Sequence, residues 1–155
     1  MEKFDALEII RTTSDNPDFS GLIEALDNDL YQRNGEAQLK YRQYNKVDMI
    51  RHVVVIYVDK KPVGCGAFKR FDDESVEIKR MFVYPEMRGK QLAARILQEL
   101  ETWAIEEGYH KAVLETGHKQ TEAIRLYTIA GYSLTENYGQ YIGMAESICY
   151  RKELK

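Results

Sequence analysis

Apolar positions along the chain follow two rhythms, and the places where they change outline a fold. Residues 6–12 alternate, with Leu7 and Ile9 set among Glu8 and Arg11, which predicts a first strand. Asn16-Pro17 has the form of a helix N-cap followed by proline at the first helical position. Phe19, Leu22, Ile23, Leu26 and Leu30 then recur at helical spacing, so an amphipathic helix is expected over 17–33, ended by Asn34-Gly35. Residues 36–51 are polar and poorly periodic, with a short second helix expected around Lys46–Arg51. Three β-rich runs follow, His52–Val58, Val63–Phe71 and Val76–Val83, separated by the turns Asp59-Lys60-Lys61-Pro62 and Asp72-Asp73-Glu74-Ser75; they predict an antiparallel meander. Leu92, Ile96, Leu97, Leu100, Trp103 and Ala104 give the next helix its apolar face, and Gly108 closes it. Lys111–Thr116 is a strand that comes after a helix, so it can lie parallel to the strand ending at Val83. A helix at 120–130 capped by Gly131, a strand near 132–136 and a last strand near 145–152 complete the order. Such an order predicts an α+β (mixed α/β) layer fold in a single domain spanning 1–155.

Composition narrows the function classes. With 44% apolar and 30% charged residues the chain reads as an ordinary globular protein, and a net charge of −3 argues against general nucleic-acid binding. The longest apolar run, Val53–Val58, is too short to span a bilayer, and Met1-Glu2-Lys3-Phe4-Asp5 lacks the basic start and apolar stretch of a signal peptide. A cytoplasmic protein without membrane contact is the expectation. Cys65 and Cys149 suggest neither a disulfide nor a zinc framework and read as small buried apolar groups; no metal is expected.

The chemistry concentrates between Val76 and Ala93. Arg88-Gly89-Lys90 stands where a helix begins, and backbone N–H groups there lack partners within the helix. Together with the positive end of the helix dipole they form an anion site suited to a pyrophosphate. No Gly-x-x-x-x-Gly-Lys-Ser/Thr or Gly-x-Gly-x-x-Gly occurs, which discounts a nucleotide-binding protein.

Arg88-Gly89-Lys90-Gln91-Leu92-Ala93 resembles motif A of the GNAT superfamily of N-acetyltransferases, Gln/Arg-x-x-Gly-x-Gly/Ala, through which members bind acetyl-CoA. Gln91 stands in place of the first motif glycine; a helical φ is open to Gln, so the amide donors are expected to survive the change. Gln120-Thr121-Glu122-Ala123-Ile124-Arg125-Leu126-Tyr127-Thr128-Ile129-Ala130-Gly131-Tyr132 is similar to motif B of the same superfamily, with Gln120 for its usual Asn and Tyr132 for Phe. The resemblance implies a mostly antiparallel sheet of six to seven strands with a parallel pair splayed at its centre and about four flanking helices. It implies pyrophosphate contacts from the backbone of Arg88, Gly89, Lys90, Gln91, Leu92 and Ala93, with positive charge from Arg88, Lys90 and Arg95. Pantetheine would pair with the backbone around Met81, Phe82 and Val83, which requires the strand ending at Val83 to splay from Lys111–Thr116. Gln120 would contact the cofactor, and Tyr127 would point its hydroxyl at the cofactor sulfur as general acid; by spacing alone Tyr127 also fits a core face.

Glu77, eleven positions before Arg88, stands at the offset of the catalytic Glu of histone-type members. As a base it would take the proton from an ammonium; as a plain strand residue it would pair with Lys79 or Arg70. Glu115 is the second candidate base, and His118 reads as a surface residue. Tyr31, Arg33 and Asn45, with Tyr138 and Tyr141 from the Gly- and Tyr-rich segment 137–143, are candidates for the acceptor pocket, with Arg33 suited to an acceptor carboxylate. The expected activity is acetyl transfer from acetyl-CoA, as co-substrate, to a primary amine of a small molecule or peptide. The alternative is a non-catalytic acyl-CoA-binding or regulatory module of the same fold. The sequence leaves open whether the chain forms a homodimer.

Overall fold

A computed structural model describes residues 6–34 and 49–155. In chain order its elements are β1 (Leu7–Thr12), α1 (Pro17–Asn34), β2 (His52–Val58), β3 (Lys61–Arg70), β4 (Ser75–Val83), α2 (Leu92–Glu106), β5 (Lys111–Gly117), α3 (Thr121–Ile129), β6 (Ser133–Thr135) and β7 (Ser147–Glu153). One seven-stranded sheet runs β1-β2-β3-β4-β5-β7-β6. Every neighbouring pair is antiparallel except β4 and β5, which are parallel, as expected for strands joined through a helix. The described residues hold three α-helices; the extra helix expected around Lys46–Arg51 falls mostly outside them.

Each helix covers a defined face. The α1 stripe of Phe19, Leu22, Ile23, Leu26 and Leu30 is buried against Val53, Val55, Cys65, Ala67 and Phe82. Asn16 caps this helix, its Oδ1 accepting the N–H of Asp18 at 2.8 Å and of Phe19 at 3.2 Å. On the opposite face α2 buries Leu92, Ile96, Leu97, Leu100 and Ala104 against Val54, Ile56, Val76, Ile78 and Val83, and Tyr127 of α3 joins the same cluster. Cys65 and Cys149 are buried free thiols.

One irregularity in the central strands shapes the site. Ala67 pairs with Lys79 but Cys65 pairs with Phe82, so Arg80 and Met81 together oppose Gly66. This is a β-bulge, and Arg80 takes the left-handed conformation at its apex, φ 61°. Gly66 must be glycine: an added Cβ would lie 2.5 Å from the Met81 sulfur, 2.8 Å from Ile96 and 2.9 Å from Leu100. The strained Arg80 is held from the α1 side, where its Nη1 donates to Asp27 Oδ1 at 3.1 Å with only 6% of the side chain exposed.

Candidate active site

The parallel pairing of β4 with β5 covers only Ser75–Ile78 against Lys111–Leu114. Beyond Ile78 the two strands part, and the β4 edge that carries Arg80 and Met81 is left to line a cleft with Glu115, Gln120, Tyr127 and Tyr141. The splay required for pantetheine pairing is therefore present. It connects the α2/α3 face of the sheet, where Met81 and Tyr127 lie, with the α1 face, where register places Glu77, Lys79 and Glu115.

The turn that leads into α2, where the sequence predicts the pyrophosphate site, is a backbone structure. Gly89 has φ 79° and Gln91, the N-cap of α2, has φ 64° and ψ 18°. The expectation of a helical φ at Gln91 is corrected here: the position takes the left-handed conformation natural to glycine, which costs a side-chain-bearing residue roughly 1–2 kcal/mol. The first intrahelical bond runs from the Arg95 N–H to the Gln91 carbonyl, so the N–H groups of Leu92 and Ala93 belong to the turn that the helix itself does not satisfy. Arg88 points the other way. Its Nε donates to the Val83 carbonyl at 3.0 Å, its Nη2 lies 3.6 Å from Asp29 of α1, and its guanidinium stands 5.8 Å over the Phe82 ring. The Arg88 side chain thus braces the turn. Gln120 is the N-cap of α3 and lines the cleft beside Gly117.

The chemistry at the splay comes from three separated segments. Tyr138 donates to Glu77 Oε2 at 2.7 Å, and the Lys79 ammonium lies 3.7 Å from Glu77 Oε1. Burial, reinforced by the Glu77 charge, pushes the Tyr138 phenol far up, so it stays a donor; burial also pulls the Lys79 ammonium down. Ser147 donates to Glu115 Oε2 at 2.7 Å. Desolvation outweighs that bond and, with the Glu77 charge adding to it, pushes the Glu115 carboxyl up to about 7. Tyr127 is 5% exposed, and its phenol is raised first by burial and then by the Glu115 charge. Tyr141 is 1% exposed, held in a turn that Asn137 closes by donating to the Tyr141 and Met144 carbonyls, both at 3.1 Å.

The acceptor candidates divide. Tyr138 and Tyr141 are brought to the cleft, one bonded to Glu77 and one in its wall. Tyr31 is 46% exposed at the end of α1; Leu26 and Leu30 line the cleft from that helix instead. The Arg33 side chain and Asn45 lie outside the described residues. His118 is exposed, with ring Nδ1 3.2 Å from the Glu146 carbonyl. Sequence reasoning missed Ser147, because a strand serine carries no signal of the distant carboxylate it serves. It also counted Leu26 and Leu30 only as core, since their spacing is that of a buried helix face.

Comparisons with known proteins bear on the family and the fold. The family model described as Acetyltransferase (GNAT) family matches residues 19–132. An "IAA acetyltransferase" of Azospirillum brasilense is 36% identical over 125 residues, covering 77% of this chain and 80% of the relative. A Klebsiella pneumoniae crystal structure assigned as an acyl-CoA N-acyltransferase superposes with a TM-score of 0.80 at 29% identity, over 96% of this chain and 98% of that one. A GNAT family acetyltransferase of Elizabethkingia anophelis, crystallised with acetyl-CoA bound, shares the fold with a TM-score of 0.68 at 18% identity, over 97% of this chain and 99% of that one.

Proposed function

This chain belongs to the acetyltransferase (GNAT) family, and on that premise we propose that it is an N-acetyltransferase, moving acetyl from acetyl-CoA to a primary amine while both substrates are bound. The observation that carries the reading is the opened β4–β5 pair, with a glycine-like phosphate turn at one end and a desolvated carboxyl and a buried phenol at the other. The residues fit an acyl-CoA: the backbone of Gly89–Ala93 would face its pyrophosphate, and the β4 edge beyond Ile78, around Met81, would offer amide groups to an extended pantetheine arm. That a protein of the same fold holds acetyl-CoA supports acetyl-CoA as the donor.

In this mechanism the amine nitrogen attacks the thioester carbonyl carbon; a C–N bond forms, the C–S bond breaks, and the thiol leaves. The Met81 N–H, on the stretch of β4 beyond its pairing with β5, would donate to the developing oxyanion. A protonated amine cannot attack, so a carboxylate must take its proton. Glu115 is better suited than Glu77. A pKa near 7 matches a base working near neutrality, whereas both Glu77 oxygens are engaged, by the Tyr138 hydroxyl and the Lys79 ammonium. Glu77 then holds the 137–146 segment in place. Tyr127 donates to the departing sulfur. Because the Glu115 charge helps hold the Tyr127 phenol up, protonating Glu115 makes Tyr127 a stronger donor as the thiolate forms.

Binding and turnover are tested separately. Acetyl-CoA at 100 times its dissociation constant is expected to add ~2.7 kcal/mol of stability, a thermal shift of roughly 5–10 °C. Thiol release with a primary amine should follow. No thermal shift at saturating acetyl-CoA refutes the acyl-CoA reading; a shift without turnover against any amine favours the binding-module alternative.

A further inference from the structure

We propose that the acceptor is a small primary amine on an apolar body, carrying no carboxylate beside the amine. The inference rests on the acyl-transfer reading and concerns the part of the cleft on the α1 face of the sheet.

The first argument is charge. Among the described residues, two buried cations face carboxylates in that floor. Arg80 pairs with Asp27 at 3.1 Å, and Lys79 lies 3.7 Å from Glu77, with both side chains of the latter pair 12% exposed. Glu115 accepts from the neutral Ser147 hydroxyl and shares the Lys79 charge with Glu77, so among the described residues this floor holds one more carboxylate than cations. Glu146 adds a second carboxylate at the mouth. An incoming ammonium balances that excess carboxylate. An α-amino acid would bring its own carboxylate to within a few ångströms of Glu115 and Glu77, where burial weakens screening and like charges repel. His118 and Lys119, the remaining basic groups of the lining, are exposed on the β5–α3 turn, where solvent screens them.

The second argument is the wall. Leu26 is 7% exposed and Leu30 8%, one turn apart on α1, and Tyr141 is 1% exposed. These side chains suit an alkyl or aryl body; a carboxylate or a second ammonium laid against them would lose its hydration without a partner. This departs from the expectation of a carboxylate-bearing acceptor, which depended on Arg33.

The experiment compares matched acceptors by thiol release with the full chain: phenethylamine against phenylalanine, hexylamine against 2-aminohexanoate, and hexylamine against 1,6-diaminohexane. Acetyl-CoA binding is followed in parallel by calorimetry. We expect each monoamine to exceed its amino acid at least tenfold in kcat/KM, and hexylamine to exceed the diamine. Leu30→Lys, which places a cation on the wall, should narrow the amine-to-amino-acid ratio at least threefold. An amino acid or the diamine matching or exceeding its monoamine overturns the inference while leaving acyl transfer intact. Acetyl-CoA bound with no transfer to any acceptor overturns both, and an unchanged ratio in a folded Leu30→Lys protein refutes the role given to the wall.

Discussion

The two ends of the cleft are built by different means. The end proposed for the phosphates is one continuous run, Arg88 to Ala93, whose donors would be backbone amides fixed by local φ and ψ. The acceptor end is assembled from side chains far apart in sequence: Tyr138 reaches Glu77 across 61 positions and Ser147 reaches Glu115 across 32. A backbone site should tolerate side-chain replacement provided the dihedrals are kept, and Gln91 keeps the left-handed turn with a side chain in place. A side-chain site depends on each partner's identity, so specificity and proton transfer belong there.

The sharpest way to break this comparison is at Glu115. Glu115→Gln is expected to lower kcat by roughly 10²–10³ and to abolish the rise in rate through pH 7, while acetyl-CoA affinity stays within about twofold. Glu77→Gln should keep that pH profile. If the two variants exchange these behaviours, Glu77 is the base. The same substitution should raise stability. The folded carboxyl titrates at about 7 against a reference of 4.5, so between those values the folded chain binds more protons than the unfolded one. Stability from this group therefore falls as pH rises from about 4.5 to about 7 and stays low above. Glu115→Gln removes the penalty, of the order of 1–3 kcal/mol, and its melting temperature should exceed the parent's by several degrees at pH 8 but hardly at pH 4.5.

A smaller effect is expected at Tyr138. Tyr138→Phe frees Glu77 from the 137–146 segment, so KM for the amine should rise about tenfold, a loss of about 1.4 kcal/mol, with KM for acetyl-CoA unchanged. A rise in both constants would mean that the two ends of the cleft are not separable. The smallest effect lies at the backbone end. Gln91→Gly relieves the left-handed residue, and a net gain of up to ~1 kcal/mol is expected after the entropy of the added glycine. It would be measured by denaturant midpoint, with acetyl-CoA binding equal or tighter. A loss of stability would show that the Gln91 side chain makes a contact worth more than the strain.

The same division explains what could be read from the chain. Strand and helix order was legible because one face of each element is apolar at a fixed period: Val76 and Ile78 pack on α2, Phe19 to Leu30 on the sheet. The phosphate turn was legible because its parts are adjacent. Arg80 gave no sign of its conformation, since arginine has no turn preference; the available hint was Gly64 and Gly66 on the opposing strand, two places where α2 and β4 come too near for a Cβ. The Tyr138–Glu77 and Ser147–Glu115 bonds were illegible for another reason. They are set by which strands become neighbours, and one sequence holds no record of pairing between distant hydroxyls and carboxylates.

The bulge at Arg80 also fixes the parity of β4. Before it the odd-numbered Glu77 and Lys79 share a face; after it the even-numbered Phe82 lies on that face, while Met81 and Val83 turn to the other. Removing one residue between Lys79 and Phe82 would leave a single residue opposite Gly66 and restore regular alternation, so Phe82 and Val83 would keep their faces and only the bulge would be lost. The extra residue therefore serves the edge that lines the cleft and not the packing of β4, and a one-residue deletion there should spare the fold while changing the cleft.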